Sequence, residues 1–178
     1  MNHKALSLLT AVAFATVVSG CSAEVAGQAN APAESGLDLS KFADDPCRLF
    51  TGEELNSQDE FNTPKLKDTS QGPACFWDPK AMTRPAYLIT FSTKETFEEL
   101  KKKARKGETF RETMVAGHPA FVSNIGDGQG TCDTTISASG GDAVEVRITT
   151  NFRAEPEYPI ACDLSEKLAG RVVEKLKA

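Results

Sequence analysis

Beyond Ser40 the chain alternates between two spacings of apolar residues. In "AYLITFST", residues 86–93, Tyr87, Ile89 and Phe91 recur at every second position, which puts them on one face of a strand. Directly afterwards Phe97, Leu100 and Ala104 fall three and four apart, one face of a helix, and Gly107 supplies its stop. The period returns to two in "TFRETMV" (109–115), in "AFVS" (120–123) beyond Gly117-His118-Pro119, in "TCDTTISAS" (131–139) and in "AVEVRITTN" (143–151). Gly140-Gly141-Asp142 between the last two predicts a hairpin. In its second arm Val144, Val146 and Ile148 are expected to face the core, and Glu145, Arg147 and Thr149 to face out.

The flanks follow the same logic. Asp45-Pro46 opens a short helix, since proline suits the first helical position. Thr51 and Glu54 have the spacing of a capping box, and "ACFWD" (74–78) reads as a strand. A closing helix from about Ala161 to Leu176 aligns Leu164, Leu168, Val172 and Leu176 in one stripe. Hairpins favour antiparallel pairing, so the fold class is α+β: a twisted antiparallel sheet of about five or six strands, with helices packed on one face and disulfide staples. Residues 40–178 are expected to form one globular domain, and no internal repeat is visible in them.

The first 39 residues follow another pattern. A polar start with Lys4 leads into the uncharged, mostly apolar run Ala5–Val18, shorter than the roughly 20 residues that cross a bilayer as a helix. This is the form of an export signal, expected over residues 1–20. Val18-Ser19-Gly20-Cys21 then matches the bacterial lipobox, an aliphatic residue and two small ones before a cysteine, and resembles sites of lipoprotein processing. Cys21 is therefore the expected lipid-attachment residue, its thiol receiving a diacylglyceryl group whose two chains suffice for stable anchoring. Ser22–Leu39, rich in Ala, Gly, Ser, Pro and acidic residues, reads as a flexible tether spanning roughly 25 Å, so that residues 21–39 carry the domain off the membrane.

The chain carries five cysteines, and one consumed by lipid leaves Cys47, Cys75, Cys132 and Cys162 for two disulfides. Four cysteines allow three pairings. Position favours Cys47 with Cys162, each at a helix start, and Cys75 with Cys132, each in or beside a strand; the main rival pairs neighbours, Cys47 with Cys75 and Cys132 with Cys162.

A net charge of −5 gives nucleic acid no phosphate-neutralising surface. With His3 in the signal, His118 is the one histidine left, and between Gly117 and Pro119 it reads as a turn residue; no metal and no cofactor is expected. Asn124, Asp127, Gln129 and Asp133 offer oxygen atoms in a glycine-rich loop, but their spacing fails the calcium-loop pattern. Lys101–Lys106, "KKKARK", follows Glu98 and Glu99 at helical ion-pair spacing and reads as a solvated helix face. No nucleophile elbow, phosphate loop or zinc-protease motif occurs.

Pro46-Cys47-x-Leu49, Gly72-Pro73-Ala74-Cys75-x-Trp77, Gly117-x-Pro119-Ala120, Cys132 and Cys162 follow one another in an order that, with the lipobox and tether, resembles the actinobacterial cell-envelope lipoprotein family of the domain-of-unknown-function 3558 type. The resemblance covers nearly all of the chain after Cys21. It implies a lipid-anchored domain on the extracytoplasmic face of the cell membrane and supplies no catalytic residue. The expected function is binding or interaction in the envelope, with a protein, peptide or lipid as partner. The alternative is an envelope hydrolase that works with carboxylates such as Asp44, Asp45, Asp127 or Asp133 and needs no histidine.

Overall fold

The structure, a computed structural model, describes residues 36–178 apart from residue 58. The expected signal segment, Cys21 and the tether as far as residue 35 lie outside the described residues. Seven strands form one antiparallel sheet: β1 (Lys65–Asp68), β2 (Pro73–Trp77), β3 (Ala86–Ser92), β4 (Thr109–Val115), β5 (His118–Asn124), β6 (Thr131–Ser137) and β7 (Ala143–Thr149). Their order across the sheet is β1-β2-β3-β7-β6-β5-β4. The chain thus lays down two meanders, β1–β3 and β4–β7, and the last strand joins them by pairing with β3.

Three helices accompany the sheet: α1 (Gly52–Leu55), α2 (Phe97–Ala104) and α3 (Ala161–Lys177). Capping boxes set the starts of the first two. Thr51 accepts from the Glu54 amide while the Glu54 carboxylate accepts from the Thr51 amide, and Thr96 and Glu99 repeat the arrangement. The expected helix at Asp45-Pro46 is a single tight 3-10 turn, Pro46–Leu49, capped by the Asp45 carboxylate on the Cys47 amide at 3.0 Å.

Alternation along the strands divides the sheet into two unlike faces. On one, Cys75, Ile89, Phe91, Ile136, Val144, Val146 and Ile148, all at most 1% exposed, pack under Leu168, Val172 and Val173 of α3. Leu164 is half-buried at the margin, so the predicted stripe of α3 is the buried one. Two buried hydroxyls on this face are joined: Thr134 and Ser165 share a hydrogen bond of 2.8 Å, and Ser165 also donates to the Cys162 carbonyl at 2.9 Å. On the other face Phe121 and Ala143 meet Phe97 and Leu100 of α2.

Four expectations change. The sheet has seven strands rather than five or six, because β1, "KLKD", is exposed at every position and carries no apolar alternation to announce it. Helices cover both faces rather than one, since a stripe such as Phe97–Leu100 needs a sheet face of its own and α3 already occupies the other. The folded body begins before Ser40: Leu37 and Leu39 are 2% and 7% exposed in the main core, and Leu37 bridges to Ala138.

The fourth correction is the disulfide pairing. Both disulfides form, but between sequence neighbours: Cys47 with Cys75, Cα atoms 4.9 Å apart, and Cys132 with Cys162, 4.8 Å apart. The nested pairing fails on strand order. β2 and β6 are separated by β3 and β7, three strand spacings or about 14 Å, whereas a disulfide needs Cα atoms within about 7 Å. Cys75 instead lies under the turn that carries Cys47, and Cys132 under the first turn of α3. Both staples therefore belong to the α3 face.

Candidate functional site

The α2 face is incompletely covered. Between α2, the β1–β2 loop and the sheet lies an open cleft of about 370 Å³. Leu100 and Ala104 of α2 with Phe121 of β5 make an apolar wall, and Ser123, Asp133 and Glu145 from three neighbouring strands make a polar floor. Gln71 faces them from the loop, while Glu95 and Lys103 pair at 2.7 Å at the margin.

Strand register builds the floor. Asp133 of β6 stands directly opposite Arg147 of β7, and Glu145 follows two residues before Arg147 on the same face. The guanidinium binds Asp133 bidentately, Nε to Oδ1 at 2.6 Å and Nη2 to Oδ2 at 3.0 Å, but reaches Glu145 at 3.5 Å. This fork geometry is the strong form of the pair, and it holds the Arg147 guanidinium further into its charged form.

Glu145 is the anomaly. Its side chain is 12% exposed, and burial, with the negative charge of Asp133 and to a lesser extent Glu95 nearby, pushes its carboxyl up to about 7. Arg147 and a hydrogen bond with Gln71 work in the opposite direction and do not cancel that rise.

The loop over the cleft is fixed by backbone bonds. The Gln71 carbonyl accepts from the Thr93 and Lys94 amides at 3.0 and 2.9 Å, and Thr69 closes the turn on the Gly72 carbonyl. Gly72 sits at φ +146°, where a Cβ would stand 2.1 Å from the Phe91 carbonyl oxygen, so the loop can lie this close to β3 only with glycine there. At the start of α2, buried Ser92 donates to the Glu95 carbonyl at 2.9 Å.

Of the carboxylates proposed from sequence, only Asp133 lines this cleft. Asp45 is engaged as a helix cap, and Asp44 and Asp127 are exposed. The oxygen-rich loop does not converge: Asp127 accepts from the Gln129 amide, Asn124 donates to the Thr131 carbonyl and accepts from the Gly126 amide, and Asp133 belongs to Arg147. Among the described residues no group of three His, Cys, Asp or Glu side chains is placed to hold a metal ion. His118 is the first residue of β5, buried beside Val115 after a two-residue turn in which Ala116 and Gly117 both have positive φ. The lysine-rich stretch is laced by ion pairs to Glu95 and Glu112 rather than to Glu98 and Glu99: Lys103 reaches Glu95, and Lys101 and Arg105 both reach Glu112 of β4.

Glu145, expected to face solvent, instead lines the floor of the cleft, whereas Arg147 stays 40% exposed and braces that floor through its pair with Asp133. The signal that could have found them is the helical stripe of α2, which requires a second sheet face beneath it. No helix among the described residues is long and apolar enough to cross a membrane.

Neither the curated proteins nor the solved structures contain a match to this chain. A family model does match, over residues 16–175, a span that runs through both disulfides and every strand of the sheet. The chain belongs to the family described as "Protein of unknown function (DUF3558)".

Proposed function

We propose that the protein is a lipid-anchored, extracytoplasmic binding protein of an actinobacterial cell envelope, held to the membrane through diacylglyceryl-Cys21, and that it recognises its ligand in the cleft under α2. The observation that carries the binding part is Glu145: a carboxyl group set 12% exposed in the floor of a cleft open to ligand, short of full pairing by its own side chains. Burying such a group costs stability unless something pairs with it. Two disulfides among the four other cysteines support an oxidising compartment, and they leave Cys21 as the odd one, behind its lipobox.

The hydrolase reading has one observation in its favour, the placement of Asp133 and Glu145 on one floor, with Glu145 in the range of a general acid. Against it, Asp133 has both oxygens engaged by Arg147, so the floor offers Glu145 no second free carboxylate to act as nucleophile or base beside it.

Two experiments test the proposal. Fatty-acid labelling of the expressed protein is expected to be lost in Cys21→Ser; labelling that survives the substitution excludes the anchor. A photo-crosslinking residue placed at Ser123 is expected to capture an envelope component that one placed at Glu174, on the exposed side of α3, does not. Equal capture from both positions would show that the cleft is not the recognition surface.

A further inference from the structure

The charges around the cleft do not balance. Three carboxyl groups, Glu95, Asp133 and Glu145, face two cations, Lys103 and Arg147. Lys103 is taken by Glu95 at 2.7 Å and Arg147 by Asp133 at 2.6 Å, so each cation has its own partner and Glu145 is the surplus. From the β1–β2 loop Glu145 meets only the neutral Gln71, and its cation contact is the shared guanidinium at 3.5 Å. Beside this surplus carboxyl stands a hydrocarbon surface from Leu100, Ala104 and Phe121.

Resting on the cleft as the binding site, we infer that it takes a ligand bearing a primary alkylammonium group, whose charge pairs with Glu145 and whose apolar stem lies against Leu100, Ala104 and Phe121. An ammonium supplies what the site lacks: one positive charge and three hydrogen-bond donors, deliverable from the open side. An anion would meet Asp133, Glu95 and Glu145 together. A neutral hydrogen-bonding group would leave the surplus charge uncompensated above neutral pH.

The reaction is a binding equilibrium with a proton attached to it. Free Glu145 holds its proton up to about pH 7, and the ammonium requires the carboxylate, so one proton leaves Glu145 to solvent as the ligand enters at lower pH. Affinity for an alkylammonium should therefore rise about tenfold per pH unit up to about 7 and then level off. By reciprocity, bound amine must lower the titration midpoint of Glu145.

The test titrates the oxidised full-length chain with n-butylammonium, with N-butylacetamide as the neutral analogue and butyrate as the anion, following the Glu145 side-chain carbon and the Phe121 ring by NMR. Expected are shifts at both residues with butylammonium alone, the stated pH dependence, and its disappearance in Glu145→Gln. Lys103→Ala keeps the floor intact and removes a like charge, so it is expected to tighten butylammonium binding several-fold. Glucosamine and a capped lysyl peptide carry the same group on a sugar and on a peptide, and whichever binds more tightly identifies the source. Equal binding of N-butylacetamide, or butylammonium affinity that ignores both pH and Glu145→Gln, overturns the inference and leaves the cleft as a site for another ligand. Absence of binding by all three probes also overturns it, and crosslinking from Ser123 then decides separately whether the cleft itself is a recognition surface.

Discussion

The two faces of one sheet have been put to different uses. The α3 face is closed, apolar and stapled: seventeen residues of helix lie on it, and both disulfides sit in it. The α2 face carries eight residues of helix, a small cluster around Phe121, and a floor of charged and hydroxyl groups. The central strands serve both, since successive side chains point to opposite sides. Rigidity on one side can therefore hold a costly arrangement on the other. Ile148 is buried beneath α3, and its chain neighbour Arg147 organises the cleft.

If this division is right, substitutions on the two faces differ in sign as well as size. The largest loss is expected from the α3 face: Ile89→Ala should lower stability by about 3 to 4 kcal/mol, measured by denaturant unfolding of the oxidised protein. Next come the staples. Replacing Cys132 and Cys162 together by serine opens a loop with a sequence separation of 30 residues, and should cost about 3 kcal/mol. Truncation through Leu39 removes two core leucines and should cost about 2 kcal/mol or more.

The cleft should answer in the opposite direction. The Glu145 carboxyl is raised in the folded state from its ordinary 4.5 to about 7, so the fold binds the extra proton between those values and stability falls as pH rises across that window. Glu145→Gln should abolish that fall and leave the variant about 2 kcal/mol more stable than the native chain at pH 8. Loss of stability there would show that the carboxylate is a structural group and erase the distinction between the faces. The smallest effect is reserved for the helix over the cleft: Thr96→Ala removes the α2 cap and should cost about 1 kcal/mol.

Sequence made one face far more legible than the other. The strands with Ile89, Val144 and Val146 and the helix with Leu168 and Val172 announce themselves because apolar periodicity is the direct imprint of a dry interface. A polar face against a cleft and a polar face against water leave the same alternation, which is why Glu145 and Arg147 read as outward. β1 has no buried position at all and left no imprint. Strand order is likewise silent in periodicity: nothing in "AVEVRIT" says that it pairs with "AYLITFS", and that pairing is what forbids a bond between Cys75 and Cys132. Thr96-x-x-Glu99, by contrast, was available in plain sight at the same spacing as Thr51-x-x-Glu54.

The neighbour-to-neighbour disulfides also bear on how the chain acquires its fold. Their loops, Cys47–Cys75 and Cys132–Cys162, do not overlap. A chain that appears amino end first presents Cys47 and Cys75 well before Cys132, so an oxidant that joins each new thiol to the last free one downstream of Cys21 arrives at the native set without error. A nested set would have required the first thiol to wait for the last, with shuffling on the scale of seconds to hours whenever it did not. The order of the bonds along the sequence thus suits a directional oxidation, in which neither bond has to be undone for the other to form.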